Sequence, residues 1–167
     1  IYVQWHRRDN AGRVEKLRLD GDQLKTDFVK GTQTDIRTPG MLNFAPVSIR
    51  GTDVYRVRPE QGLGLCRHTN GEDKPEVLNE AASICPPILT RDHAVYGGLD
   101  GRVHVVPLKG GKAQALRTAF GAPITAPLAV AESRVYAGCE DGYLYMYGAD
   151  GKAALPKKDL GIWKIRN

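Results

Sequence analysis

The chain has 167 residues, 41% of them hydrophobic and 26% charged, with a net charge of +5. That balance suits one globular domain, or a piece of a larger one, and excludes a peptide, a linker or a disordered tail. No apolar run approaches the roughly 18 residues that carry a helix through a bilayer, so no membrane span is expected. Bases and acids alternate, as in Arg7-Arg8-Asp9 and Glu15-Lys16, which describes a mixed-charge surface rather than the one-sided basic face of a nucleic-acid binder.

At the start of the chain, Ile1 stands in place of Met with neither a charged nor an apolar leader region behind it, so a chain cut from a precursor is expected. Ile1-Tyr2-Val3 reads as a strand, Gly12 as a turn, and Arg13-Val14 to Leu19-Asp20-Gly21 as a second strand with its turn. Further on, a unit recurs. Pro46, Pro87 and Pro127 step by 41 and 40, as do Tyr55, Tyr96 and Tyr136, while Asp100-Gly101 and Asp141-Gly142 lie 41 apart. A period near forty residues marks a repeat architecture. The opening stretch is a worn copy of this unit. Tyr2 and Tyr55 are 53 apart, so the residues between Asp22 and Ala45, which include Gly31, Pro39 and Gly40, are expected to carry an insertion of about a dozen residues.

Inside each unit the apolar pattern has the period of two that belongs to strands. In Tyr143-Leu144-Tyr145-Met146-Tyr147, Leu144 and Met146 face one way and the tyrosines the other; Val103 and Val105, and before them Leu63 and Leu65, take the corresponding places. These are the expected core positions. The Asp-Gly pair ahead of this strand suits a tight hairpin, because Gly reaches positive φ without a Cβ clash. Each unit thus reads as four antiparallel strands, which is one propeller blade. The expected fold is an all-β propeller of four-stranded antiparallel blades, with blade-like units at about 1–45, 46–86, 87–126 and 127–167. It is either a ring of about four blades or part of a larger propeller. Asp159 to Lys164 reads as one more strand, and a four-bladed ring closes if that strand near Trp163 completes the blade that begins at Ile1. The segment of a larger ring is the preferred reading.

The segment from Val135-Tyr136-Ala137-Gly138 through Asp141-Gly142-Tyr143-Leu144-Tyr145 to Gly151-Lys152 resembles the pyrroloquinoline-quinone-like repeat, V-Y-x-G-x-x-D-G-x-L-Y-A-L-D-x-x-T-G-K, and Val95-Tyr96-Gly97-Gly98-Leu99-Asp100-Gly101 resembles a second copy. The resemblance covers residues 87–152 well, 46–86 moderately and 1–45 weakly. The family includes quinoprotein dehydrogenases and the BamB-type outer-membrane assembly proteins, which share the propeller without holding a cofactor. The ending from Lys157 to Arg166 is similar to large BamB-like proteins of planctomycete-type bacteria. By this resemblance alone, a place in the cell envelope or periplasm is expected.

The chain departs from the dehydrogenase pattern. Gly111-Lys112 leads to Ala115-Leu116, and Gly151-Lys152 to Ala154-Leu155, where the dehydrogenases carry a docking tryptophan. It has no vicinal Cys-Cys pair, and none of its acids matches the family's calcium ligands or base. No cofactor and no catalytic residue is expected. Other chemistry is equally sparse. Cys66, Cys85 and Cys139 form no CxxC motif and read as small core hydrophobes, with one Cys66–Cys85 bridge left open. Cys66 and His68 fall on one strand face, but two ligands do not make a site and no metal is expected. His104 falls on the face opposite Val103 and Val105, exposed or satisfied by a neighbour. Asp100 and Asp141 read as turn formers, and Gly62-Leu63-Gly64 lacks the third glycine of a dinucleotide loop.

The expected function is therefore a noncatalytic scaffold for protein–protein interaction. Its partners are other proteins or other parts of its own precursor. The candidate contacts are Pro39 and Met41 in the insertion, together with Lys157, Lys158 and Trp163 in a basic end that holds five bases against Asp159. Trp163 packed between blades is the plainer alternative. Two other functions stay open: a segment of a quinone-dependent dehydrogenase or other redox enzyme whose cofactor residues lie outside this chain, and a sensor propeller for a small molecule.

Overall fold

The computed structural model describes residues 2–6, 11–21, 23–28, 34–35, 47–59, 62–69, 74–131, 134–148 and 163–164. All its regular elements are strands, grouped in four antiparallel sheets. No helix is long and apolar enough to cross a membrane among the described residues. The first sheet is built on β2 (Ala11–Asp20), which pairs with β1 (Tyr2–His6) on one side; on the other it pairs in succession with β3 (Gln23–Phe28) and β4 (Thr34–Asp35). The other three sheets are four-strand meanders. They contain β5–β8 (Val47–Arg50, Asp53–Val57, Leu65–His68, Glu76–Asn79), β9–β12 (Ile88–Leu89, His93–Gly97, Arg102–Pro107, Gln114–Arg117) and β13–β16 (Ala129–Ala131, Arg134–Gly138, Tyr143–Gly148, Trp163–Lys164).

The strands around Tyr55, Tyr96 and Tyr136 each take second place in their sheet, as the repeat requires. The strand at Trp163 pairs with Leu144 in the fourth sheet. It completes that sheet and not the one that begins at Tyr2.

Stacking buries both faces of the third sheet. Toward the second sheet, Ala94, Tyr96, Val106 and Leu108 pack with Tyr55, Val57 and Leu65. Toward the fourth, Val95, Val103, Val105 and Leu116 pack with Val135, Ala137 and Tyr145, together with Cys85, Ile124 and Leu128 from the linkers. Complete burial of an aliphatic or aromatic side chain is worth about 1.5–3 kcal/mol, so these two layers hold the sheets together.

Of the expected core positions, Val103, Val105, Leu65 and Met146 are buried and Leu144 is half-buried. Leu63 is a correction, being 36% exposed. The turn before β7 closes when Arg58 N donates to Gly64 O at 2.8 Å, which leaves Leu63 in the turn and starts the strand at Leu65. Tyr145 was expected away from the core, yet it is buried, because the third sheet packs on the face that carries it.

Candidate functional site

One rim of the stack is formed by the turns between the second and third strands of successive sheets and by the linkers that lead from each sheet to the next. The same latch recurs along it. After the second sheet, Ser83 N donates to Arg58 O at 2.8 Å, and Leu99 N donates to Ala82 O at 2.9 Å. After the third, Ile124 N donates to Gly98 O and Glu140 N to Pro123 O, both at 3.1 Å. Both of these linkers are therefore bonded to the turn of the sheet they leave and to the turn of the sheet they enter. Close approach demands glycine here: a Cβ on Gly97 would lie 2.3 Å from Ile124 Cγ2, and one on Gly64 would lie 2.1 Å from Ala81 O.

Asp100 stands at the centre of this rim, 40% exposed in its side chain, with a cleft on either side. The larger, 620 Å³, is walled by Pro59, Ala81, Ala82 and Leu99 with Glu80 and Asp100 as its acids. The smaller, 300 Å³, runs from Asp100 past Arg102 and Arg117 to Phe120. The Asp100 carboxylate lies 3.0 Å and 3.2 Å from Nε2 of His104. The His104 ring is buried and stacks on Tyr96 with centroids 5.1 Å apart. Tyr96 in turn donates its hydroxyl to Asn79 Oδ1 at 2.8 Å, and burial drives its phenol pKa far above the ordinary value. One repeat later the same positions hold Asp141 and Tyr145, whose hydroxyl donates to Asp141 Oδ2 at 2.6 Å. Burial, with the hydrogen bond to Asp141, pushes the Tyr145 phenol up to about 12.

The other reactive side chains are held inside the fold. Cys66, Cys85 and Cys139 are buried and not disulfide-bonded, so the Cys66–Cys85 bridge left open by the sequence does not form. The Cys85 thiol donates to Ile124 O and Ala126 O, and burial lifts its pKa to about 11. The Cys139 thiol, donating to Ala122 O at 3.1 Å, is also raised by burial. Both are thiols at neutral pH, and a thiol is a poor nucleophile. Ser83 Oγ donates to Gly97 O at 2.6 Å. Cys66 and His68 do share a face, yet the groups beside His68 are the guanidinium groups of Arg56 and Arg58. With burial, they depress the His68 pKa to about 4. No three of His, Cys, Asp and Glu gather as a metal set among the described residues.

Of the contacts expected from sequence, Pro39, Met41, Lys157 and Lys158 lie outside the described residues, and Trp163 lies on β16 opposite Leu144. His104 is satisfied by a neighbour, as expected. The pairing of a turn Asp with the side chain four residues on was missed. Its signal was present in Asp100/His104 and Asp141/Tyr145, two pairs 41 residues apart. Glu80 had no signal, because the linker it begins carries no periodicity.

A search of family models and a search of curated sequences each return no match. Solved structures do match. BamB from Moraxella catarrhalis is similar over 84% of this chain and 43% of its own, with a TM-score of 0.55 and 15% identity. The fold is propeller-type. The computationally designed Ika4 protein is similar over 88% of this chain and 84% of its own, with a TM-score of 0.53 and 17% identity. PorZ of Porphyromonas gingivalis, described as an essential surface component of the type-IX secretion system, is similar over 96% of this chain and 20% of its own, with a TM-score of 0.52 and 12% identity. The chain spans under half the length of that BamB. Likeness at such identities establishes architecture, and function has to be argued from the site.

Proposed function

We propose that the chain is a noncatalytic propeller scaffold for protein–protein interaction, acting in the cell envelope in the manner of the BamB-type propellers its repeat resembles. One observation carries the reading. Behind the rim the reactive groups His104, Tyr145, Cys85, Cys139 and Ser83 are buried and each bonded within the fold, while turns and linkers open two clefts to solvent. Rim loops on a rigid stack are where such folds present partner surfaces. In this reading the units 1–45, 46–86, 87–126 and 127–167 are successive blades, and Pro39, Met41, Lys157, Lys158 and Trp163 add contacts to those of the rim.

Site-specific photo-crosslinking in the source cell tests it, with the photoreactive residue placed at Glu80 on this rim or at Lys109 in the β11–β12 turn of the other. The expected result is a discrete protein adduct from Glu80 and none from Lys109, weakened by Lys157→Ala with Lys158→Ala. A visible chromophore that purifies with the protein overturns the scaffold in favour of the redox reading, and no adduct from Glu80 removes the larger cleft as a partner surface.

A further inference from the structure

The smaller cleft carries features that internal bonding does not explain. Arg102 and Arg117 sit directly opposite each other on β11 and β12, and like charges in that register destabilise a sheet. Asp100 offsets them only in part. Its Oδ2 is 3.9 Å from Arg102 Nε, while both its oxygens lie closer to His104. Arg117 is exposed and has no carboxylate partner among the described residues. Asp141, on the following turn, is engaged with Tyr145 and with Tyr143 N. At the far end of the same cleft Phe120 is 66% exposed, against 36–40% for Ile49, Leu63, Val77 and Val130. Its ring is propped against Tyr143 at 5.3 Å, so it is presented rather than left loose.

We infer that this cleft is a docking surface for an acidic segment of a partner protein, one that places carboxylates on Arg102 and Arg117 and a large apolar side chain against Phe120. Charge complementarity selects the occupant. Among the described residues the two guanidinium groups have only the Asp100 carboxylate near them, and it is shared with His104; a carboxylate placed on them relieves the repulsion that the sheet register imposes. Arginine and aromatic side chains, paired at a partly enclosed site, are the residue types that dominate binding energy at protein interfaces. A small cleft beside an exposed ring suits a short segment better than a broad surface. The inference rests on the scaffold reading and specifies the partner for one part of the rim.

The test is selection of a displayed library of random peptides on the intact protein, with counter-selection on the Arg117→Glu and Phe120→Ser variants. The most enriched peptide is then titrated by fluorescence anisotropy. Both substituted side chains are exposed, and thermal unfolding at an unchanged midpoint verifies that the variants fold. The expected peptides carry net negative charge and a large apolar residue, bind more weakly as salt rises, and lose at least about tenfold in affinity in either variant. Enriched peptides without acidic bias, or with equal affinity for the variants, overturn the site. The photo-crosslink from Glu80 reads the other cleft, so its survival in that case leaves the scaffold standing.

Discussion

Tyr145 donates its hydroxyl to Asp141 at 2.6 Å, across the turn that precedes its own strand, and the same oxygen accepts the Ala119 N–H at 3.1 Å. The side chain therefore ties a hairpin of the fourth sheet to the linker leaving the third. His104 and Asp100 are the equivalent pair one repeat earlier. Replacing Tyr145 with Phe keeps the buried ring and removes both bonds. A hydrogen bond to a charged group contributes about 1.5–3 kcal/mol, so urea denaturation should show a loss of about 2 kcal/mol. A loss below about 0.5 kcal/mol would mean that the bond to Asp141 exchanges freely with water.

Gly101 and Gly142 occupy the same turn position in neighbouring repeats, at φ of 72° and 84°. A Cβ on Gly142 meets nothing within 4 Å, whereas one on Gly101 would lie 2.4 Å from the Gly121 backbone. Gly142→Ala should cost about 1 kcal/mol, the strain of a left-handed residue with a side chain. Gly101→Ala should cost at least about 2 kcal/mol more, from overpacking against the linker. Thermal or urea unfolding of the two variants measures the difference directly; equal costs would show that the linker does not press on the turn.

His68 is buried beside Arg56 and Arg58, and its folded-state pKa of about 4 lies below the ordinary 6.5. The unfolded chain therefore takes up a proton that the folded one refuses. Stability is full above the unfolded value and falls as pH drops from about 6.5 toward 4, by on the order of 3 kcal/mol in total. Urea midpoints measured across that window should fall for the protein and fall less for His68→Asn. Parallel pH profiles for the two would remove His68 as the cause.

The three cysteines are buried and unbridged. A disulfide-exchange reagent at neutral pH should label them slowly in the folded protein and fully once urea has unfolded it, since burial holds Cys85 and Cys139 in the thiol form. Immediate reaction of any thiol in the native state would contradict that burial.

Much of the candidate site was beyond sequence reasoning because its parts come from segments far apart in the chain. Glu80, Leu99 and Asp100 share a cleft only because the linker at Ala82 is bonded to the turn at Leu99. Arg102 and Arg117 confront each other only because of the β11–β12 register. Neither the linker's path nor that register follows from local pattern. The turn glycines were legible, because positive φ is a local demand that the chain meets with Asp-Gly at 100–101 and 141–142.

By themselves, the residues determined the repeat, the strands and the all-β class, since alternation of side chains and the chemistry of turns act over a few neighbouring positions. Tertiary structure decided which face each side chain meets. Tyr96 lies four residues before its turn Asp and Tyr136 five. Tyr96 therefore stands opposite His104 and is fully buried, while Tyr136 stands opposite Met146 on the other face and is half-buried, leaving Ala137 opposite Tyr145. In an isolated sheet a one-residue shift would send a side chain from core to solvent. Between stacked sheets both faces are interior, so alternation could mark the strands but only the packing of neighbouring sheets could assign the core.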